Sequence, residues 1–375
     1  MSTAERLPVV VVGGGPAGLA TSAELRRRNI AHAVLERGES VGHSWMNVYD
    51  SLTLHTGKHL SSLPRMSFDR RVPLFPTREH FVDYLHRYVE VLELPVETNR
   101  EVTSVEREDD HWLVRSVRGD LRADAVAIAT GIMAGPRVPA VPGRERFRGR
   151  VMHSVEYRRP AGFEGRRVLV IGVGNSGGEI GSELANAGAK VTIAVRSGAN
   201  VVPLAIAGIP IQYLAFAMRG LPAGVRRAIA GAVGRITEVR RGKPVIPKPA
   251  HGPLDSIPLI GFHLVDAIRA GRVTVRGAVA EFTETGVRFT DGTEESFDDV
   301  IFATGFTAAI GPLGNLVRTD AKGFALRTDR VTSADQPNLY FVGHSYDSTG
   351  GLYNIRRDAG LAAERIAAAL HGAAA

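Results

Sequence analysis

Two glycine-rich turns of one design constrain this chain more than any other feature of its sequence. The first is Gly13-Gly14-Gly15-Pro16-Ala17-Gly18 and the second is Gly172-Val173-Gly174-Asn175-Ser176-Gly177. Each follows a β-branched apolar run, 8–12 or 167–171, that reads as a buried parallel strand. Each precedes a stretch that reads as a helix, 19–28 or 179–187, and then a second strand, 31–35 or 191–195. This is a βαβ unit written twice, with the glycines where a helix N-terminus offers free N–H groups to a phosphate. The first glycine permits the tight turn, the second lets a pyrophosphate reach the backbone, and the third lets helix and strand pack closely. Two such units imply two dinucleotides, read as one flavin and one nicotinamide, with electrons passing between them.

The residue ending each second strand distinguishes the two sites. Glu36 lies 23 residues after Gly13 and can accept hydrogen bonds from both ribose hydroxyls of an adenosine. Arg196-Ser197 begins 24 residues after Gly172. An acid there would repel a 2′-phosphate, whereas arginine pairs with it through two hydrogen bonds, which points to NADPH over NADH. A further echo runs through Asp124-Ala-Val-Ala-Ile-Ala129-Thr130-Gly131 and Asp298-Asp-Val-Ile-Phe-Ala303-Thr304-Gly305. Each is an apolar strand ending in Ala-Thr-Gly, where the chain is expected to cross between domains.

The predicted fold is therefore α/β, with two Rossmann-like dinucleotide-binding domains. The FAD domain is discontinuous, 1–160 and 301–375, and the NADPH domain is inserted at 161–300. An apolar insert near 200–260 breaks the pattern. Its first part, 201–218, is interrupted by Pro203, Gly208 and Pro210, which disfavours a membrane span. A buried helical insert is expected there, with a substrate lid or an interfacial patch as the functional alternatives. Pro244, Pro247, Pro249 and Pro253 mark an extended loop.

Composition narrows the chemistry. The 375 residues suit two domains and include no cysteine. That removes disulfides, thiolate metal sites and any Cys-x-x-Cys redox pair, and with them a disulfide reductase. No His-Glu metal spacing or catalytic-triad pattern is present, so no metal is expected. The net charge of +7 comes without a long basic run and suits two pyrophosphates better than nucleic acid. The N-terminus lacks signal-peptide architecture, so a cytoplasmic protein without firm membrane association is expected. The oligomeric state stays open, a homodimer included.

Between the two turns lies Phe147-x-Gly149-x-x-x-His153-x-x-x-Tyr157. It resembles the identifying signature of the class B flavin-dependent monooxygenases, in the form ending in Tyr and not in the Trp typical of the Baeyer–Villiger branch. Residues 51–58, Leu63-Pro64, 75–78 and 81–85 are similar to the YUCCA-type enzymes of that family. So are Gly174–Gly177, 195–197, Gly252-Pro253-Leu254 and 302–306. YUCCA enzymes decarboxylate indole-3-pyruvate oxidatively. His55-Thr56-Gly57-Lys58 departs from their usual His-Leu-Pro-Lys, so substrate identity does not carry over.

The fingerprints and the resemblance together give an expected cofactor-binding set. It comprises Gly13, Gly15, Pro16, Ala17, Gly18, Glu36, Arg37, Trp45, His55, Lys58, Thr130, Gly131 and His153. It continues with Gly172, Gly174, Asn175, Ser176, Gly177, Arg196, Ser197, Thr304, Gly305, Gly343, Gly351 and Leu352. Gly350-Gly351-Leu352 opens the final helix, whose dipole would stabilise reduced flavin. His55 is the candidate catalytic residue, able to hydrogen-bond a flavin peroxide or a substrate carboxylate; a structural histidine is the other reading. His153 and Tyr157 read as linker residues that set domain geometry and touch NADP(H). The implied reaction inserts one oxygen atom from O2 into a small hydrophobic substrate through a C4a-(hydro)peroxyflavin. An NADPH-dependent flavin reductase or oxidase, Baeyer–Villiger oxygenation and a non-catalytic flavoprotein are the alternatives.

Overall fold

The computed structural model describes residues 5–250, 257–345 and 350–372. The Gly252-Pro253-Leu254 match lies outside them. The chain divides into two units, Met1–Asn47 with Ser51–Gly135 and Phe306–Ala375, and Val48–Asp50 with Pro136–Gly305.

The first unit is built on a seven-stranded sheet. Strand β1 (Glu5–Val12) leads through the first glycine turn to helix α1 (Pro16–Arg27) and back to β2 (His32–Leu35), parallel to β1. Beyond β2 lies β3 (Val96–Glu97). On the other side of β1 lies β6 (Leu121–Ile128), reached through the antiparallel pair β4 (Val102–Glu108) and β5 (His111–Ser116). Residues 121–123 of β6 pair with β5, while 126–128 pair in parallel with a strand from the chain's far end, residues 339–341. Val9 and Val11 pack towards Leu19, Ala23, Ala359 and Ile366 of the covering helices, and Val10 and Val12 towards Trp112, Val126 and Phe341. Alternate side chains of a strand face opposite ways, and here both faces are covered; hence the unbroken valine run.

The second unit holds a five-stranded, all-parallel sheet. It contains β7 (Arg150–His153), β8 (Arg167–Ile171), β9 (Lys190–Ala194), β10 (Val273–Arg276) and β11 (Asp299–Phe302), in the order β10-β9-β8-β11-β7. Helix α2 (Asn175–Asn186) joins β8 to β9. Because β7 pairs with β11, the unit begins at Pro136 and not near 161. Asp299 at the start of β11 is fully buried and is neutralised by Arg150 at 2.6 Å and Arg166 at 2.5 Å. A buried carboxylate without such partners would cost several kcal/mol. Strand β12 (Leu339–Phe341) and helix α4 (Gly351–Gly372) return to the first unit.

The insert corrects the sequence-based expectation. Residues 201–218 form no single buried helix. They fold into three two-residue strands and a seven-residue helix, Ile211–Ala217, mostly half-buried. Pro203, Gly208 at φ +79° and Pro210 break the helix before it can propagate. After them comes α3 (Ala223–Arg241), 19 residues without one buried side chain. Among the described residues no helix is long and apolar enough to cross a membrane.

Candidate cofactor sites

The two glycine turns have the same geometry. Gly13 and Gly172 take φ +109° and +112°, and a Cβ on either would lie 2.7 or 2.4 Å from the carbonyl oxygen of Ala129 or Ala303. At Gly18 and Gly177 a Cβ would lie 1.8 or 2.1 Å from the carbonyl oxygen of the first glycine. These four positions are closed by the protein itself. At Gly15 and Gly174, the N-caps of α1 and α2, a Cβ would meet nothing within 4 Å. Neither N-cap receives a side-chain hydrogen bond, and neither first turn carries an acid. Each helix therefore presents uncapped N–H donors and its positive end to open space, which fits a pyrophosphate.

Glu36 does more than the fingerprint implies. It is 7% exposed, and its two carboxylate oxygens accept hydrogen bonds from the Gly14 and Gly38 amides at 2.6 and 2.8 Å. It thus braces the turn, and each oxygen keeps a second lone pair for a ribose hydroxyl. Arg37 next to it is exposed. The Gly42 amide donates to the Gly14 carbonyl at 3.0 Å, which brings Trp45 near the turn, its ring edge-on to Phe81 at 4.5 Å.

Three other parts of the first unit converge there. A Cβ on Gly343, after β12, would lie 3.0 Å from Ala17 of α1. Gly350, just before α4, is as close to Thr56, so the loop 55–57 borders the start of that helix, where Gly351 and Leu352 lie. His55 in this loop is half-buried. Thr130 donates its hydroxyl to the Ala309 carbonyl at 2.6 Å, fixing the turn at Gly131. Lys58, expected beside a cofactor, is tied to a neighbouring loop of its own unit. Its ammonium donates to the carbonyls of Asp69, Arg70 and Val72 at 3.2, 3.0 and 2.6 Å. All three of its donors are used in clamping that loop.

In the second unit, Asn175 is tied to the segment that follows the insert. Its amide donates to the Pro258 carbonyl at 3.2 Å and its oxygen accepts from the Ile260 amide at 2.8 Å. Pro16, Ala17 and Ser176 fill the first turns of α1 and α2 beside their open glycines. Arg196 and Ser197 are exposed at the end of β9, and Arg196 forms no ion pair among the described residues. Thr304 donates its hydroxyl to the Arg137 carbonyl, as Thr130 does in the first unit, and leads into Gly305 at φ +83°.

The linker motif is a packing unit. A Cβ on Gly149 would lie 2.4 Å from the Phe147 ring, so the close stacking requires glycine. His153 is 3% exposed; its Nε2 donates to the Gly305 carbonyl at 3.1 Å and its Nδ1 accepts from the Val155 amide at 3.3 Å. Carbonyls only accept, so the ring is the neutral Nε2–H tautomer, and burial lowers its pKa in keeping. Tyr157, 1% exposed, donates to Glu183 on α2 at 2.9 Å. Burial first and the Glu183 charge second raise its pKa. Tyr49 was missed from sequence. It belongs to the short segment Val48–Asp50, donates to Glu179 on α2, and has its pKa raised well up by burial and then by that carboxylate. With 130 residues between the partners, no local spacing announces it.

Comparison with known proteins agrees with this architecture. The family described as pyridine nucleotide-disulphide oxidoreductase matches residues 10–202, although a chain without cysteine lacks the disulfide chemistry in that description. The indole-3-pyruvate monooxygenase YUCCA1 of Oryza sativa subsp. japonica is 35% identical, over 80% of this chain and 77% of its own length. YUCCA4 of the same rice is 32% identical over 96% of this chain and 88% of its own length. The flavin-containing monooxygenase from Stenotrophomonas maltophilia superposes with a TM-score of 0.76 at 26% identity, covering 97% of this chain and 99% of that one. Cyclohexanone monooxygenase in its open form shares the fold, with a TM-score of 0.72 at 20% identity. Two open glycine turns, a packed Phe-Gly-His-Tyr linker and these relatives lead to one assignment: the chain belongs to the class B flavin-dependent monooxygenases, oxidoreductases that use FAD and NADPH.

Proposed function

We propose that the first turn holds FAD, that the second holds NADPH, and that the chain adds one atom of O2 to a small hydrophobic substrate. The observation that carries this reading is the pair of open N-caps at Gly15 and Gly174, each beside two glycine positions that the fold closes. Bound FAD supplies the chemistry: reduced by the nicotinamide, it activates O2, and one oxygen atom reaches the substrate while the other leaves as water. The chain's residues bind, orient and shield. The N–H groups at the start of α1 and α2 take the pyrophosphates, Glu36 takes the adenosine ribose of FAD, and Arg196 with Ser197 takes the 2′-phosphate of NADPH. Gly350 and Gly351 start α4 beside Thr56, and the positive end of this 22-residue helix would stabilise a reduced, anionic flavin ring held there. His55, next to Thr56, is the candidate for holding a substrate carboxylate or moving a proton.

The relatives' names make indole-3-pyruvate the first substrate to try, followed by other 2-oxo acids, amines, sulfides and cyclic ketones. The protein is reduced anaerobically with NADPH, then given 18O2 and each candidate. Flavin bleaching by NADPH followed by one 18O atom in a product is the expected result. Bleaching with hydrogen peroxide as the sole oxygen product across all of these classes would replace the reading with a flavin reductase or oxidase. No bleaching at all would remove the enzyme reading.

A further inference from the structure

We propose that helix α3 and its flanks form a docking face for an anionic lipid surface. The charge distribution is the first observation. Residues 201–250 hold eight of the 46 Lys and Arg residues but one of the 39 Asp and Glu, so this stretch alone carries +7. The rest of the chain balances, with 38 residues of each sign. The net charge of the whole protein is thus concentrated in one insert.

The second observation is an uncovered apolar stripe on the same element. Val225, Ala228, Ala232, Ile236 and Val239 follow one another at helical spacing on one side of α3, and all are exposed. Val225 is 44%, Ile236 55% and Val239 86% exposed, while Ile229, Ala230, Val233 and Thr237 on the adjoining side are half-buried. Ile209, Phe216 and Leu221 add further exposed apolar surface in the same insert. By position, Arg235 borders the stripe on one side, and Arg240, exposed at the end of the helix, lies beyond Ile229 on the other. With Arg227 they form no ion pair among the described residues, whereas Arg241 pairs with Asp266 and Lys248 with Glu238.

Charge complementarity selects the occupant. A second copy of this chain would bring +7 against +7. A neutral apolar partner would leave the flanking arginines unused. An anionic bilayer satisfies both: valine and isoleucine enter the headgroup boundary, and arginines at the flanks reach the phosphates along their aliphatic stems. The helix lies in the plane of the surface, since 19 residues that include six arginine or glutamate side chains do not cross a bilayer.

The test is co-sedimentation of the purified flavoprotein with vesicles of pure phosphatidylcholine and with vesicles in which one third is phosphatidylglycerol. Sedimentation with the anionic vesicles alone, reversed by high salt, is expected. Arg235→Gln with Arg240→Gln should weaken it about thirty-fold, from roughly a five-fold loss per cation. Val225→Ser with Ile236→Ser and Val239→Ser should weaken it at least as much. Retained flavin and NADPH-dependent bleaching check that the variants are folded, and the wild-type comparison between the two vesicles stands without them. Failure to sediment with anionic vesicles, equal sedimentation with both kinds, or folded variants that bind like wild type would overturn the proposal.

Discussion

A single methyl group, placed at Gly15 or at Gly18, should separate cofactor binding from folding. At Gly15 the backbone is extended, φ −83° and ψ −175°, which any residue adopts, and a Cβ meets no heavy atom within 4 Å. Gly15→Ala therefore costs the fold nothing. By restricting the unfolded chain it stabilises the flavin-free protein by about 0.4–1 kcal/mol. The same methyl would stand in the space that the proposed function gives to a pyrophosphate. Loss of one hydrogen bond to that charged group removes about 1.5–3 kcal/mol of binding, roughly a 10- to 150-fold rise in the FAD dissociation constant. At Gly18 the methyl would sit 1.8 Å from the Gly13 carbonyl oxygen, a separation no atoms tolerate. Helix α1 must then lift from β1, at a cost of about 3 kcal/mol or more. For a unit of this size that is a fall in Tm of about 6–12 °C. The assay is bound flavin per chain by absorbance, together with Tm on flavin-stripped proteins, so that lost cofactor does not itself lower the melting point. Gly15→Ala with wild-type FAD affinity, or Gly18→Ala with a wild-type Tm, would refute the reasoning.

Three further outcomes follow from the geometry. Arg196→Ala should raise the KM for NADPH about 10- to 150-fold, the worth of a charge-assisted pair, and leave that for NADH unchanged; equal effects on both would show that the arginine does not read the 2′-phosphate. Tyr157→Phe removes the hydroxyl that donates to Glu183 at 2.9 Å and should lower stability to urea by about 1.5–3 kcal/mol, so an unchanged midpoint would mean the bond contributes nothing. The hydrogen bonds of Arg167 hold Asp298 at a pKa of about 2, below the ordinary 3.8. A depressed carboxyl pKa stabilises the fold above the unfolded value, and that contribution is lost as pH falls from 3.8 through 2. Discounted for its partial exposure, it is about 1 kcal/mol. Asp298→Asn should be less stable than wild type by that amount at neutral pH, and the gap should close by about pH 2; a gap independent of pH would discard the ion pair as its source.

The frame of this protein was legible because its devices are local. A glycine turn, the strand before it and the acid or arginine after it lie within about thirty residues, and each has a backbone reason to be there. Both Ala-Thr-Gly strand ends could be read in the same way, since the last four residues of β6 and the last three of β11 are apolar and buried. What stayed hidden depends on partners far apart in the chain. The clamp made by Lys58 is nearer in sequence, on three carbonyls 11 to 14 residues on, but their loop has no regular spacing that would announce it. Tyr49 gave no signal because its acceptor sits on another element. The insert misled for a different reason. Its apolar composition suggested burial, but proline and glycine cut its first part into short pieces, and arginines hold its long helix at the surface.

The threading of the first unit has a consequence for how the protein is made. Strand β6 gains its neighbour β12, and α1 its cover from Ala359, Ala362 and Ile366 of α4, after the whole second unit has been synthesised. All five strands of the second unit's sheet lie between Arg150 and Phe302, so that sheet has every partner it needs while the first is still open. A nascent chain paused near Gly305 would present the apolar side of α1, Leu19 and Ala23 among it, without a lid. The half with the earlier fingerprint is therefore the last to seal, and the interval before α4 arrives is when this protein most needs a chaperone.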